Sequence, residues 1–277
     1  PIALGMISKN GVVARVWERA MQILYRDADR IIVLGDSMER RLTEKHEDDS
    51  KFDPEKIEVI PNWEDGEFIR PKDKHENEFA HEHDTVEPFT LLYSGNIGRF
   101  HDLRTAVDAI KRLESRGRTD IQLLIIGEGA QKPDLKKYIY REEIENVRFL
   151  PFQPLERLPE TLTCADASLV GIQQRLVGMC VSSKLYSSLA AGMPILGVVG
   201  EEDEVARVLS EHDCGTHVHP GDAEAAADVL ARWADDRALV DELSQSARAC
   251  FEARYTSRHA VSAYADVLRR TARANDN

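Results

Sequence analysis

Residues 91–103 read LLYSGNIGRFHDL, and this stretch decides the fold. An apolar run ends at Ser94, small and glycine residues follow, and a helical pattern begins near Asp102. This is a buried strand delivering the chain to a helix N-terminus. A second stretch, SSKLYSSLAAGMP at 182–194, places small residues at a helix start in the same way. Each turn brings a cation, Arg99 or Lys184, to backbone N–H groups that could meet phosphate. One such turn is weak evidence. Two in one alternating β/α domain suggest a nucleotide-sugar diphosphate held between helix ends.

The alternation continues outward from these two stretches. Strands are predicted at 89–94, 121–127, 147–150, 167–171, 195–199 and 216–219. Helices are predicted at 102–116, 133–143, 155–164, 183–191, 203–212 and 223–233. Six strands interleaved with helices define an α/β fold with a doubly wound parallel sheet. Two further helices, 237–254 and 257–272, close the chain. Ligands of such sheets bind at the carboxyl ends of the strands. The loops of interest are therefore 95–101, 127–132, 151–154, 172–183 and 200–203.

Upstream there is less. Val13, Val16, Trp17, Ala20, Met21, Leu24 and Tyr25 recur at helical spacing, which predicts an amphipathic helix over 12–28. A short strand at 30–34 follows, then a helix capped by Asp36 or Ser37 and a strand at 57–60 stopped by Pro61. That is too little to cover both faces of a parallel sheet. The segment reads as the tail of a domain whose beginning is absent, with Pro1 partway into a longer protein. Residues 72–88, KDKHENEFAHEHDTVEP, are polar and aperiodic and read as a surface loop or partly disordered insert.

Bulk properties exclude several classes. The chain has 277 residues, 42% of them hydrophobic, and no apolar run long enough to span a membrane. Its 36 basic and 49 acidic residues give a net charge of −13, which argues against a nucleic-acid partner. Cys164, Cys180, Cys214 and Cys250 form no CxxC pair, so reduced thiols in a cytoplasmic protein are expected. His75, His81 and His83 fit no standard metal signature and read as a solvated loop, so no metal is expected.

ADRIIVLGDSMERRL, IEVIPNW, LLYSGNIGR, IQLLIIGEGAQKPDLKK, NVRFLPFQPLERLPETLTCADASLV, SSKLYSSLAAGMPIL and GTHVHPGD stand in an order that resembles the group 1 glycosyltransferases, retaining enzymes of the GT-B fold. The likeness runs from about Ala28 onward. It is strongest to the bacterial subgroup that uses UDP-linked amino sugars for surface polysaccharide and O-antigen units. The resemblance implies four parts: 1–62, the end of an acceptor-binding domain; 63–88, a linker or surface loop; 89–256, a Rossmann-like nucleotide-sugar domain; and 257–277, a helix returning toward the first domain through Tyr264, Val267 and Leu268. The catalytic-site His of the first domain has no counterpart here. The donor is a UDP-sugar, no cofactor is required, and the acceptor is a saccharide or lipid-linked. The expected location is the cytoplasm, at the inner face of the membrane. Peripheral membrane contact through the missing domain and a dimer through exposed interdomain surface are left open.

The resemblance makes Gly95, Asn96, Gly98 and Arg99 the phosphate loop. Asn96 stands where the family often has Arg, His101 and Asp102 stand for a Lys–Gly pair, and Arg99 supplies the missing cation. The competing reading is a plain tight turn. Gly127 and Glu128 border the nucleotide base, or only make a flexible turn; this is no dinucleotide fingerprint, because Lys132 falls where its third glycine would be. Phe152 and Leu155 are candidates for the apolar wall of the base. Phe149 reads as core, and Trp17, Trp63 and Trp233 as packing residues, Trp63 with a place in the interdomain cleft as an alternative. The family's paired Glu residues fall on Met179 and Ser187. Exchanging a charged hydrogen bond of about 1.5–3 kcal/mol for one of about 0.5–1.5 should weaken nucleotide roughly tenfold. In the amino-sugar subgroup a Ser–Lys pair precedes the helix, so Ser182 and Ser183 are expected to cap it and Lys184 to meet phosphate. An ordinary Ser cap with a solvated Lys is the alternative.

Three functions follow as expectations. The first is a glycosyltransferase whose donor half this chain supplies, with little turnover by the chain alone. The second is a non-catalytic nucleotide-sugar-binding module. The third is an interaction domain whose degraded site no longer binds nucleotide.

Overall fold

The structure, a computed structural model, describes residues 11–275, so the outermost positions of the first and last assigned segments lie outside the described residues. The chain opens with α1 (Val12–Asp27), β1 (Ile31–Val33), α2 (Asp36–Lys45) and β2 (Ile57–Val59). The two strands pair in parallel, Ile31 opposite Ile57, in a sheet of their own. Ile31, Val33 and Ile57 form a small core under Tyr25, Met38, Leu42 and Phe52. Two strands can cover one side of a helix only. Ala14 of α1 is buried, while Val13, Val16, Trp17 and Leu24 face solvent. Trp17 is therefore not a packing residue among the described residues, contrary to its sequence reading.

The segment 72–88 is not a disordered insert. It contains α3 (Glu78–Glu82), with Phe79 and Ala80 fully buried. Three of its polar side chains, Lys74, Asn77 and Thr85, are bonded inward. Asn77 accepts from Phe79 N–H and donates to the Glu160 carbonyl at 2.8 Å and to Thr163 Oγ1 at 3.0 Å. Thr85 Oγ1 donates to the Cys164 carbonyl at 2.6 Å. Lys74, Asn77 and Thr85 are thus buried with hydrogen bonds, while His75, Glu76, Glu78 and Glu82 remain at the surface.

The main body follows as β3 (Phe89–Ser94), α4 (Arg104–Ser115), β4 (Ile121–Ile126), α5 (Lys132–Arg141), β5 (Val147–Leu150), α6 (Leu158–Leu162), β6 (Ala167–Gly171), α7 (Ser183–Ala190), β7 (Ile195–Val198), α8 (Glu204–His212), β8 (Gly215–Val218), α9 (Ala223–Asp235), α10 (Arg237–Arg254) and α11 (Ser257–Asn275). The predicted helix at 155–164 is instead a 3₁₀ turn, Leu155–Arg157, running into α6 with Pro159 in its first turn. All six strands are parallel, in the order β5-β4-β3-β6-β7-β8. Both faces are covered, which is why the strands are apolar throughout rather than alternating. On one face Leu92, Leu124 and Val170 meet Leu185, Leu189 and Leu209. On the other Leu91, Tyr93 and Ile125 meet Ala106, Ile110, Leu230 and Trp233.

The chain winds from β3 out to β5, then returns past β3 to β6. The crevice at the carboxyl ends of β3 and β6 is thus the topological switch point, where sheets of this kind bind ligands. The last helix reaches back to the first unit. Trp63 and Tyr264 meet edge to face at 6.1 Å, and Arg270 pairs with Glu58 at 2.9 Å. Val267 is buried as expected for a packing position, but Leu268 is 68% exposed and takes no part.

Candidate anion-binding site

Three chain segments meet at the switch point: the turn after β3, the turn after β4 and the start of α7. The first two are clamped backbone to backbone. Ile97 N–H donates to the Glu128 carbonyl at 2.8 Å, and Gln131 N–H to the Ile97 carbonyl at 3.1 Å. Gly127 has φ +146° and Gly129 φ +157°, which L side chains rarely adopt, and a Cβ on either would strike the backbone of the first turn. Gly127 therefore serves close packing, not mere flexibility. Tyr93 OH donates to the Asn96 carbonyl at 2.6 Å and fixes the tip of the first turn.

Lys184 enters this platform from the first turn of α7. Its side chain lies against Gly95, where a Cβ would come within 2.8 Å of Lys184 Cε. The ammonium sits 4.9 Å over the Tyr93 ring and 3.5 Å from His101 Nε2. Among the described residues it has no carboxylate partner, and burial alone pushes its pKa down to about 8. A half-buried, unpaired cation at a helix N-terminus is poised for an anion. Next to it, Ser182 occupies the N-cap position but its side chain makes no capping bond, and its buried Oγ has no partner. The sequence reading of Ser182 as a cap through its hydroxyl is thus corrected; that hydroxyl is left over. Ser183 is exposed and makes no capping bond either.

His101 is held differently from the cation whose place it takes. Its Nδ1 lies 3.0 Å from the Gly171 carbonyl at the end of β6. Burial first, and Lys184 second, push its pKa down to about 4. Asp102 is engaged at the start of α4, where its Oδ1 accepts from Thr105 N–H at 3.0 Å and from Thr105 Oγ1 at 3.1 Å.

The remaining candidates divide. Asn96 and Arg99 are exposed at the rim, and Arg99 makes no ion pair among the described residues. Gly98 packs beside the Asn96 amide. Glu128 is held by Lys132 at 2.5 Å, which also donates to the Gly127 carbonyl at 2.8 Å. Phe152, 55% exposed, stands over Gly127, and Leu155 is exposed one turn further on. Ser187 Oγ donates to the Lys184 carbonyl at 3.3 Å and lines a cavity of about 10 Å³ with Ser94, Ser168 and Ser188. Met179 lies in the loop 172–183, which reaches α2 through Arg41 to the Val177 carbonyl, and no described contact brings it to Lys184. Sequence reading missed Tyr93, Gln131 and the Gly171 carbonyl as supports of the site. Tyr93 looks like any strand residue, and a backbone carbonyl leaves no sequence signal.

A cavity of about 610 Å³ lies under the opposite strand ends, where Asp166 pairs with both Lys74 and Arg237. His81 and His83 make local contacts: His81 Nε2 meets the His75 carbonyl at 2.8 Å, and His83 packs on Phe79. Among the described residues no cluster of three or more His, Cys, Asp or Glu could hold a metal ion.

Known structures share this architecture. HepE of Anabaena, solved with UDP and glucose, superposes with a TM-score of 0.77 at 14% identity, over 91% of this chain and 66% of that one. WaaG, a glycosyltransferase involved in lipopolysaccharide biosynthesis, gives 0.72 at 14% identity, over 94% and 68%. The fold is that of the GT-B glycosyltransferases. Residues 58–249 match the family of Glycosyl transferases group 1, and the chain belongs to that family. Among curated relatives, the probable glycosyltransferase WbjE of Pseudomonas aeruginosa is 27% identical over 240 residues, covering 87% of this chain and 57% of its own length. The putative colanic acid biosynthesis glycosyl transferase WcaI of Escherichia coli K12 is 26% identical over 195 residues, covering 69% and 46%. The chain thus spans about half the length of these relatives. Among the described residues no helix is long and apolar enough to cross a membrane.

Proposed function

We propose that this chain binds the diphosphate of a nucleotide sugar, UDP-linked, and serves as the donor-binding part of a retaining glycosyltransferase of surface-polysaccharide synthesis. The observation that carries the reading is the Lys184 ammonium, half-buried without a carboxylate in the first turn of α7, whose N-cap Ser182 hydroxyl is also without a partner. In glycosyl transfer, negative charge develops on the leaving diphosphate. A fixed cation and helix-end N–H groups stabilise that charge without reorganising. The platform of Gly95, Gly98 and Gly127 lets backbone approach the phosphates, and Phe152 offers an apolar face to the base. The sugar accepted would be an amino sugar, and the acceptor a saccharide or lipid-linked saccharide.

Titration calorimetry with UDP, GDP, ADP and a UDP-N-acetylhexosamine tests this. UDP and the UDP-sugar should bind, and the purine diphosphates should bind more weakly. A protein that binds none of them is not a donor-binding domain. A second reading, a nucleotide-sugar-binding module without turnover, is favoured by the absence of carboxylates at Met179 and Ser187. Binding without product formation would select it.

A further inference from the structure

The site holds an imidazole where charge would be the simple expectation. His101 Nδ1 faces a backbone carbonyl, Gly171 O, at 3.0 Å. A carbonyl only accepts, so Nδ1 carries the proton. In a neutral ring Nε2 is then a bare lone pair, and it faces the Lys184 ammonium at 3.5 Å. Protonating Nε2 would set two cations against each other in a half-buried pocket, with the Tyr93 ring as the other neighbour at 5.7 Å. Gly171 presses on the Asp102 backbone so closely that a Cβ there would lie 2.2 Å from the Asp102 carbonyl oxygen.

We propose that His101 is a positioning residue that works as a neutral imidazole, accepting from Lys184 and holding the ammonium toward the anion site, and that it contributes no charge to the phosphates. This inference rests on the donor-binding reading for its purpose, but its geometry stands apart from it. It makes the turn after β3, the end of β6 and the start of α7 one hydrogen-bonded unit at the switch point. The anion then meets one fixed cation at this position rather than two.

The test has two readouts on the full chain. Imidazole nitrogen NMR of ¹⁵N-histidine-labelled protein is recorded between about pH 6 and pH 8, with and without UDP, and His101→Gln assigns the signal. The expected result is a protonated Nδ1 and an unprotonated Nε2 throughout. An imidazolium, or a proton on Nε2, overturns the proposal. In calorimetry, His101→Leu, which has no acceptor for the ammonium, should lose ~10-fold in UDP affinity, while His101→Gln, whose amide oxygen can accept, should lose less. A His101→Leu protein binding UDP as tightly as wild type overturns the proposal as well. Should that variant not fold, the NMR result decides alone. Should wild-type protein not bind UDP, the donor-binding reading fails, and the NMR of the free protein still decides the role of His101.

Discussion

A Cβ on Gly127 would lie 1.9 Å from the carbonyl oxygen of Gly95. The turns after β3 and β4 are therefore pressed together through bare backbone, which holds the turn after β3 in place. Preorganisation of this kind is what lets N–H groups act on developing charge.

Gly127→Ala should consequently destabilise the protein by about 2 kcal/mol or more, since both the left-handed backbone and the Gly95 contact resist it. In thermal unfolding this corresponds to a fall of roughly 4 °C or more. Gly117→Ala is the control. It also has positive φ, +79°, but open space around it, and should cost only about 1 kcal/mol. Equal losses in the two variants would show that the backbone clamp contributes nothing.

Lys184→Ala should lower UDP affinity by about tenfold or more, the loss of one charge-assisted bond, without lowering stability. The pH dependence has a definite sign. Burial lowers the pKa to about 8, so the anion-binding form is lost as pH rises through that value and UDP affinity should fall. Stability should move the other way. The unfolded chain holds this proton up to about pH 10 while the folded chain has released it, so between those values this group makes folding more favourable as pH rises. Calorimetry and urea unfolding at about pH 7 and pH 9 would show both trends. An affinity unchanged across that interval removes Lys184 from the site.

The sheet was legible because parallel strands buried on both faces leave uninterrupted apolar runs such as FTLLYS and IQLLII. The two turns and Lys184 were legible because glycine and a cation at a helix start have a local meaning. What could not be read is what depends on distant partners. Asn77 and Thr163 are 86 positions apart, so nothing local distinguished their buried bond from a solvated loop. His101 stood only as the residue in the family's Lys position, and nothing local showed that its ring meets the Gly171 carbonyl, 70 positions on. Trp17 had the spacing of a core residue, but a two-stranded sheet has no surface for it.

Asp166 illustrates the same distance effect in stability. It pairs with Lys74 at 2.7 Å and with Arg237 at 2.5 Å and accepts from Thr90 N–H at 2.7 Å. Asp166→Ala leaves Lys74 charged in a buried place beside Arg237, and should cost about 3–5 kcal/mol. Lys74→Met leaves Asp166 still paired with Arg237 and should cost less. The cluster lies at the far ends of the strands, so folded variants should keep their UDP affinity. Denaturant unfolding checks the order, and a Lys74→Met loss equal to that of Asp166→Ala would contradict it.

Asp203 gives the opposite case, a carboxylate that stabilises more when neutral. It is 1% exposed, caps α8 by accepting from Val205 N–H at 2.9 Å, and leaves Oδ2 without a partner. Burial, with Glu204 adding to it, raises its pKa to about 6. The folded state thus holds a proton between about pH 4 and pH 6 that the unfolded chain has lost, and stability from this group declines as pH rises through that window. Asp203→Asn keeps a good cap and removes the charge. It should therefore be more stable than wild type at about pH 7, on the order of 1–3 kcal/mol, and should lose that advantage near pH 4. Asp203→Ala also removes the cap and should fall about 1 kcal/mol below the Asn variant at either pH. Urea unfolding of the three proteins at both pH values separates these terms. An Asn variant less stable than wild type at about pH 7 would mean that the ionised carboxylate is solvated or paired in a way its buried Oδ2 does not permit.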